Sequence, residues 1–505
     1  MPRRNLLIIF AMTLLSLISY HRASRNAYVS TLAEAMNVIQ RDYVDEVDNR
    51  VLFEGAMNGM VEQLDPNSGY TPPVEYKQFL DQMEQEFGGI GIVVEFDETA
   101  QRLAVAGPLP GTPAFRAGVR AGDIIMALDG KDTAGLKLVD STDLIRGKPG
   151  TFLKMVVLHP GETKPVELLV ERAKIAVDSV LGDTRNPDGK WVFRLAEQPE
   201  IAYIRIQSFA ERTSTELQAA LRTLQENKEP PLKGLILDLR GNAGGLLTAA
   251  IETCDLFIKD GVIVSTRGRS GNWLQQFTAT SNVTVDPNLP VVVLIDKKSA
   301  SASEIVSACL QDHGRAKVVG QRSYGKGTVQ NVLQLEGGRS ALRLTIARYF
   351  RPSGKNIHKL QGALDTDDWG VRPDPGEELS LTNRESMRYL MVRNRRDILA
   401  YAGNRASPAG EATPVPMPMP PMPTEESATP SAAEGTKTEG TESKEGAESN
   451  GTQTENEEAP PAREELSAED KAAAVKGILF ADPQLRKAVE CVLREVDSKK
   501  TMPLP

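Results

Sequence analysis

Cysteine and histidine are both scarce in this chain of 505 residues. The three cysteines, Cys254, Cys309 and Cys491, are too few and too widely spaced for a disulfide framework or a zinc site, so we expect them in the core. Only four histidines are present, which leaves few candidates for the base of a serine–histidine–acid triad. The sequence predicts no metal and no other cofactor.

An excess of basic residues is also missing. The formal net charge is −9, and because the stretch 424–470 is strongly acidic, the remainder of the chain is close to neutral. A chain without a basic surface lacks the electrostatic signature of nucleic-acid binding, so we expect no nucleic-acid partner. The length and the apolar content of 40% are sufficient for at least two domains with their own cores.

One long apolar run stands at the N-terminus. Residues 6–20 are apolar and lie between Arg3-Arg4 and His21-Arg22. This pattern predicts an export signal, which is either cleaved or retained as an anchor; a buried helix is the alternative. We therefore expect an exported protein in the periplasm or another extracytoplasmic space, tethered to the inner membrane by residues 6–20 if the signal is retained.

The remaining patterns predict a multidomain chain of the α/β plus β class. Short strands broken by glycine predict a small, partly open β-barrel with one helix, and strands alternating with helices predict an α/β layer around a mainly parallel sheet. The predicted parts are the signal or anchor (1–25), an N-terminal helical region (26–86), the small barrel (87–173), the α/β core (174–403), a disordered Pro-rich and then Glu/Thr/Ser-rich linker (404–466) and a C-terminal helical segment (467–499).

Three serines alternate with alanines directly after the apolar run 291–295. Of these, Ser301 begins a Ser-x-x-Glu pattern with Glu304, at the point where the predicted strand turns into a helix. The pattern allows two interpretations: Ser301 caps its own helix, or it is a nucleophile whose neighbouring amide, at Ala302, faces a developing oxyanion. The stretch GLILDLRGNAGG is a second predicted strand followed by a glycine-rich turn. We expect the two turns to lie in one crevice at the carboxyl ends of the strands.

A nucleophilic serine needs a base, and the histidines are poor candidates. His21 lies in the predicted export segment, His159 follows a strand of the small barrel, and His313 ends the helix that Ser301 begins. His358 has no evident acidic partner in the sequence. A histidine triad therefore has weak support.

Lys326 is the alternative base, and it stands between two glycines before a predicted strand. A phosphate-binding loop is disfavoured, because residue 327 is glycine instead of serine or threonine and the following segment is predicted as a strand. An amine acts as a base only when neutral, which requires lowering its pKa from about 10.4 to roughly 7–8 by desolvation. The ordinary alternative is a surface lysine in a glycine turn.

Several motifs resemble those of the carboxyl-terminal processing, or tail-specific, peptidases, which are serine enzymes with a Ser/Lys dyad. The similarity covers roughly residues 30–400, and FGGIGI (87–92) resembles the opening of the family's PDZ domain. The other motifs that carry the resemblance are YIRIQSF (203–209), ILDLRGNAGGLL (236–247), SASASEI (299–305), SYGKGTVQ (323–330) and YFRPSGKNI (349–357).

The resemblance implies a serine endopeptidase that cleaves near protein C-termini, with the PDZ domain binding the substrate tail and gating activity. The implied site consists of the nucleophile Ser301, the base Lys326, the orienting residue Gln330, the oxyanion-hole amides of Gly245 and Ala302, and a carboxylate-binding loop of Gly88, Gly89, Ile90, Gly91 and Ile92.

Polypeptides with exposed C-termini are the expected partners, and an adaptor or regulator and a homo-oligomer are left open. The runner-up hypothesis is a catalytically inactive PDZ scaffold that binds peptides. The joint presence of Ser301, Lys326 and Gln330 disfavours that hypothesis.

Overall fold

The computed structural model describes residues 27–398, apart from 85, 98 and 137, and residues 477–501, together with isolated positions between 5 and 16. The predicted linker 404–466, the predicted helix start at 467–470 and most of the predicted export segment 1–25 lie outside the described residues. Within the ranges that are described, no helix combines the length and the apolar character that a membrane crossing requires.

Helices occur at both ends of the described chain and between the strands. In chain order they are α1 (Ala27–Asp42), α2 (Asn49–Val61), α3 (Pro73–Glu84), α4 (Pro113–Arg116), α5 (Leu138–Ile145), α6 (Thr213–Glu226), α7 (Leu247–Asp255), α8 (Ala302–Asp312), α9 (Asn383–Asp397), α10 (Ile478–Ala481) and α11 (Pro483–Thr501).

Strands fill the middle of the chain. The first group is β1 (Gly69–Thr71), β2 (Glu86–Gly89), β3 (Ile92–Asp97), β4 (Arg102–Pro108), β5 (Ile124–Leu128), β6 (Lys131–Asp132), β7 (Phe152–Leu158), β8 (Val166–Glu171) and β9 (Ala173–Ala176). The second group is β10 (Val180–Leu181), β11 (Thr184–Arg185), β12 (Trp191–Val192), β13 (Arg194–Leu195), β14 (Gln198–Ile206), β15 (Gly234–Asp238), β16 (Val262–Arg267), β17 (Trp273–Thr278), β18 (Val291–Ile295), β19 (Lys317–Gly320), β20 (Thr328–Leu335) and β21 (Ser340–Phe350).

The chain divides into two compact units, and the smaller one contains the N-terminal helices. It consists of Met1–Lys77 and Gln330–Thr345. Within it β1 pairs antiparallel with β21, so that Tyr70 lies opposite Leu342. The carboxylate of Glu336 joins the parts of this unit, because it accepts hydrogen bonds from Tyr70, Ser340 and Arg50.

The larger unit includes a six-stranded antiparallel sheet in which β3, β4, β5, β7 and β8 follow one another and β6 pairs with β5. Its alternating apolar residues, among them Leu103, Ile125 and Leu153, are fully buried in one cluster with Ile90. Alternation places these side chains on one face, which is the pattern expected of an antiparallel sheet with one solvated side. Strand β3 forms one edge of this sheet.

The same unit contains a second sheet, in which β14, β15, β18 and β19 are parallel neighbours. Both faces of these strands are buried: odd and even residues, such as Leu235 and Ile236, belong to two different apolar clusters. Helices α6, α7 and α8 contribute to the first cluster, and α9, α10 and α11 to the second. Helices on both faces explain why the strands are apolar throughout.

The prediction of a mixed α/β chain with N-terminal helices and a C-terminal helix is confirmed. The carboxyl ends of β15 and β18 are adjacent, because Asp238 lies opposite Leu294 in the parallel ladder. The loops that follow these two strands therefore begin side by side, and they contain the glycine and serine motifs of the sequence.

Candidate active site

The three alternating serines differ sharply in their surroundings. Ser299 and Ser303 are fully buried, and their hydroxyl groups donate to the carbonyl oxygens of Leu239 and Asn242 at 2.9 Å. Ser301 is only half-buried. Two of the hydroxyl groups are therefore committed to holding the turn, and Ser301 is the serine that reaches the accessible side.

Ser301 is the last residue of the loop that connects β18 to α8, and its backbone conformation is unusual. Its φ is 54° and its ψ is −112°, a combination that residues with a Cβ atom seldom adopt. Helix α8 begins at the next residue, Ala302, so Ser301 lies in the turn that leads into the N-terminal end of this helix. Turns of this kind expose the side chain at their apex.

The carboxylate of Glu304 connects this turn to the loop that contains Lys326. Its Oε2 accepts the N–H groups of Ser301 and Lys326, both at 2.9 Å. Its Oε1 accepts the Ser323 hydroxyl and the Gly325 N–H, both at 2.6 Å. The amide nitrogens of Ser301 and Lys326 therefore cannot be farther apart than twice their distance to the shared oxygen.

Burial and hydrogen bonding act in opposite directions on this carboxyl group. Glu304 is 0% exposed, and burial raises its pKa, while the four donors that face it lower the pKa; the net value is raised to about 7. From the sequence alone, Glu304 is only the acidic residue of a helix-capping pattern. A signal is nevertheless present in the sequence: Glu304 lies in the first turn of an otherwise apolar helix. A carboxylate buried at such a place needs several hydrogen-bond donors.

The glycine-rich loop after β15 is packed directly against the Ser301 turn. Gly244 has a φ of 105°, and a Cβ atom at this position would lie 2.8 Å from the Cβ of Ser301. On its other side the loop is bonded to Phe209, whose N–H donates to Gly244 and whose carbonyl accepts the N–H of Leu246. Only glycine permits this close approach.

Two backbone donors are available beside Ser301. Among the hydrogen bonds of the described residues, none uses the N–H of Gly245 or that of Ala302 as donor. The Ala302 nitrogen lies 3.0 Å from the position of a Cβ at Gly244, so the two loops bring these donors into one region. Unpaired amides beside a half-buried hydroxyl match what an oxyanion requires.

The Lys326 loop is also fixed from its other side. Gly327 lies against the backbone of His358, since a Cβ at Gly327 would be 2.2 Å from the His358 nitrogen. The Gly325 carbonyl accepts the Lys359 N–H at 2.8 Å. Glycines flank Lys326 because the segment 357–359 lies against both positions and leaves no room for a Cβ atom at either one.

The histidines have other partners or lie elsewhere. His159 is buried beside the six-stranded antiparallel sheet, and its Nδ1 is 2.6 Å from Asp123. The Nε2 of His313 is 2.8 Å from the carbonyl oxygen of Val262. His21 lies outside the described residues. The structure therefore places the backbone of His358 beside the lysine loop, while the side chains of His159 and His313 are bound elsewhere.

The remaining predicted site residues lie in two other places. Gln330 is in strand β20, and its amide donates to the Thr345 hydroxyl at 3.3 Å within the smaller unit. Gly88 and Gly89 belong to β2, which pairs with β9. Ile90 is fully buried, and a Cβ at Gly91 would collide with Thr112.

The carbonyl groups of this glycine segment point inward. Ala114 donates its N–H to the Ile90 carbonyl and Leu109 donates to that of Gly91, both at 2.9 Å. Ile92 then begins β3, the edge strand of the antiparallel sheet. A loop fixed through its carbonyl groups next to an open strand edge has the arrangement of sites that bind extended peptides.

Comparison with known proteins accounts for these features together. Residues 200–374 match peptidase family S41, residues 78–158 match the PDZ domain, and residues 17–72 match the N-terminal domain of the activating protease CtpB. A carboxy-terminal-processing protease of Bartonella bacilliformis is 40% identical over 338 residues, which cover 66% of this chain and 72% of the relative. The chain belongs to the carboxy-terminal processing proteases of peptidase family S41.

Two further members of this family show similar coverage. The carboxy-terminal processing protease CtpB of Bacillus subtilis is 34% identical over 67% of this chain and 67% of its own length. CtpA of the same organism is 33% identical over 69% of this chain and 68% of its own length. The resemblance inferred from the motifs is confirmed, and this carboxy-terminal processing protease is a serine-type peptidase with a PDZ domain. The hypothesis of an inactive scaffold is not supported.

Proposed function

We propose that this protease cleaves polypeptides near their C-termini by acylation of Ser301, with Lys326 as the general base. The observation that carries the proposal is the shared carboxylate oxygen of Glu304, which accepts the amides of both residues at 2.9 Å. Nucleophile and base must lie within hydrogen-bonding reach when substrate is bound, and a common anchor fixes their two loops relative to each other.

The proposed reaction follows from these groups. The neutral amine of Lys326 takes the proton of the Ser301 hydroxyl as Oγ bonds to the substrate carbonyl carbon. The amides of Gly245 and Ala302 donate to the resulting oxyanion. The C–N bond then breaks, the proton passes from Lys326 to the leaving amine, and an acyl-enzyme forms. Water then attacks the ester as Lys326 takes its proton, the bond from the acyl carbon to Oγ breaks, and Lys326 returns the proton to Oγ as the new C-terminus leaves. Gln330 is proposed to orient the lysine.

The PDZ domain is proposed to bind the substrate tail and to gate activity. The amides of Gly88, Gly89, Ile90, Gly91 and Ile92 form the proposed site for the terminal carboxylate. An extended tail adds to the open edge of β3 through backbone hydrogen bonds. Support comes from the position of β3 at the sheet edge and from the inward carbonyls of Ile90 and Gly91, which fix the loop.

The site of action is proposed from the sequence. Residues 6–20 resemble an export signal, so we place the protease outside the cytoplasm, with the same segment as its membrane tether if it is retained. An adaptor and self-association are compatible with this proposal. N-terminal sequencing of the protein isolated from a membrane fraction distinguishes a cleaved signal from a retained anchor.

Substitution of the dyad tests the catalytic assignment. Purified protein is incubated with an unfolded protein that has an apolar C-terminus, and the products are identified by mass spectrometry. We expect Ser301→Ala and Lys326→Ala each to abolish cleavage, while His358→Ala retains it. Lys359→Ala is the matched lysine control, since this residue lies next to Gly325 with its amine 4.6 Å from the Trp369 ring centre. Cleavage by the Lys326→Ala variant at the wild-type rate contradicts the dyad.

Amidation of the substrate C-terminus tests tail recognition. Because an amide lacks the negative charge that backbone N–H groups bind, we expect the amidated substrate to be cleaved more slowly than the acid. A single substitution in the proposed carboxylate-binding loop provides the second test. Gly91→Ala places a Cβ 2.4 Å from Thr112 and so displaces the loop, and we expect this variant to cleave the acid and the amide at similar rates. Equal cleavage of acid and amide by the wild type argues against the proposed carboxylate site.

A further inference from the structure

The C-terminal segment 477–501 supplies a buried carboxylate to the base of the glycine-rich loop. Asp482 accepts two hydrogen bonds from the Arg240 guanidinium, at 2.9 Å from Nη1 and 2.8 Å from Nη2. The two side chains are 0% and 3% exposed. A bidentate, buried pair of this kind has a defined geometry as well as a strong attraction.

Arg240 is bound on every side. Its Nε and Nη2 donate to the two oxygens of Asp238, the last residue of β15, and Nη1 also donates to Gln484 at 3.1 Å. The ring of Tyr389 covers the guanidinium at 4.5 Å. Although burial alone opposes ionisation of Asp238, Arg240 holds the pKa of that carboxyl below its usual value. The position of Arg240 therefore depends on a segment far along the chain.

Short contacts connect Arg240 to the proposed oxyanion hole. The next residue, Gly241, donates its N–H to Asp296 at 3.0 Å.

Asn242 continues the connection toward Ser301. Its carbonyl oxygen accepts the Ala300 N–H and the Ser303 hydroxyl, and its side-chain oxygen accepts the Gly244 N–H at 2.8 Å. Gly244 then lies against Ser301. From Arg240 to Gly245 the loop thus has a single hydrogen-bonded arrangement.

The segment that provides Asp482 is itself firmly placed. Its apolar residues complete the second core cluster on the parallel sheet, namely Ile478, Ala481, Leu485, Ala488, Val489, Cys491 and Val492. A Cβ at Gly234 would lie 2.3 Å from the Val492 side chain, so α11 and β15 are in direct contact. This helix cannot shift without disturbing the strand that precedes the glycine-rich loop.

We propose that Asp482 is a positioning residue for catalysis, through which the C-terminal segment fixes Arg240 and thereby the oxyanion-hole loop. The inference rests on the proposed function, because the amide of Gly245 matters to the rate only if Ser301 is the nucleophile. Since oxyanion donors act in the transition state, a displaced loop lowers kcat and leaves KM largely unchanged.

Asp482→Asn in the full chain is the decisive variant. The asparagine oxygen can still accept the Leu485 N–H, which Asp482 accepts at 3.0 Å at the start of α11, but its NH2 group faces a donor of Arg240. We expect kcat to fall at least about tenfold with KM within about twofold, measured below the onset of thermal unfolding. Arg240→Lys keeps the charge without the forked geometry and is expected to show the same loss.

Arg494→Gln is the matched control. Arg494 pairs with Glu377 and so ties the same helix to the core, away from the glycine-rich loop. This variant is expected to keep the wild-type kcat. In addition, the double variant Arg240→Lys/Asp482→Asn should be no slower than the slower single variant, because both changes act on one contact.

The outcomes separate the two proposals. Activity of the wild type with loss in Ser301→Ala establishes the proposed function in the same assay, independently of Asp482. If the folded Asp482→Asn protein then keeps kcat within twofold, or if Arg494→Gln loses as much kcat as Asp482→Asn, the positioning role is wrong.

Discussion

The backbone N–H of Lys326 donates a hydrogen bond to the buried carboxylate of Glu304, at 2.9 Å. The same oxygen accepts the N–H of Ser301, so one side chain holds the backbone of both proposed dyad residues. The serine turn alone requires only an ordinary helix cap. The additional bonds to the lysine loop make Glu304 a part of the site's geometry.

Glu304→Gln is predicted to lower kcat by about tenfold to a hundredfold while the protein stays folded. A glutamine fits the space but has a single acceptor oxygen, so its NH2 group faces two of the four donors; each unpaired buried donor costs about 1–3 kcal/mol. Steady-state kinetics and the thermal midpoint check this. The control is Glu216→Gln, at a half-buried carboxylate that accepts the N–H groups of Ser179 and Val180. Equal kinetic effects of the two substitutions would contradict a specific role for Glu304.

The ionisation of Glu304 is predicted to be visible near neutral pH. Its pKa, raised by burial to about 7, means that the carboxyl is neutral below this value and ionised above it. A raised carboxyl pKa also means that its contribution to stability is greatest below its ordinary value of 4.5 and is lost as the pH rises through about 7.

The titration can be separated from that of the lysine amine. In a Lys326→Met background, the amide proton shifts of Ser301 and Gly325 should follow a single ionisation with a midpoint near 7, because both N–H groups donate to Glu304. Glu304→Gln in the same background should abolish the change. Shifts that stay constant between pH 5 and 9, a range of about two units on either side, would refute the assignment.

Gly244→Ala is predicted to reduce kcat by about a hundredfold or more and to destabilise the fold. Alanine disfavours a φ of 105°, and its Cβ would lie 2.8 Å from Ser301 and 3.0 Å from the Ala302 nitrogen, so the loop must move away from the proposed nucleophile. Gly241→Ala is the control: its φ is also positive, but nothing lies within 4 Å of the new Cβ. This variant should lose some stability and keep most of its activity. Similar kcat values for the two variants would be inconsistent with the proposed hole.

Glu336→Gln is predicted to destabilise the smaller unit in a pH-dependent manner. Hydrogen bonds from Arg50, and then from Ser340 and Tyr70, lower the pKa of Glu336 from 4.5 to about 2. A lowered pKa gives stability that is present above pH 4.5 and lost as the pH falls toward 2. Urea unfolding of the wild type and of Glu336→Gln at several pH values should therefore show a difference in the free energy of unfolding that shrinks as the pH falls from 4.5 toward 2. A difference independent of pH would contradict the ionic role of Glu336.

Local patterns in the sequence were enough to select Ser301 and Lys326 as candidates. Ser301 lies between an apolar strand and an apolar helix. Lys326 lies between two glycines, which have no side chain and so allow close backbone packing. These signals lie within a few residues of the chain. Because only four histidines are present and none has an evident acidic partner in the sequence, a lysine is favoured as the base without knowledge of the fold.

The contacts that support the site could not be predicted in this way. Glu304 reaches a loop 22 residues further along the chain, and Arg240 reaches Asp482 across 242 residues. Such pairs are fixed by the stacking of helices on a sheet, and no spacing rule connects their positions. The sequence indicated charged residues next to apolar strands, but only the fold shows which charges neutralise one another.

The backbone of Ser301 implies a conflict between durability and activity. A φ of 54° with a ψ of −112° costs a residue with a Cβ roughly 1–3 kcal/mol. Selection for a long-lived protein alone would favour glycine at this position, since glycine relieves the strain. A Ser301→Gly protein should accordingly resist heat better than its parent and cut nothing, and the wild type is the less robust molecule because a hydroxyl group at this position requires a Cβ atom.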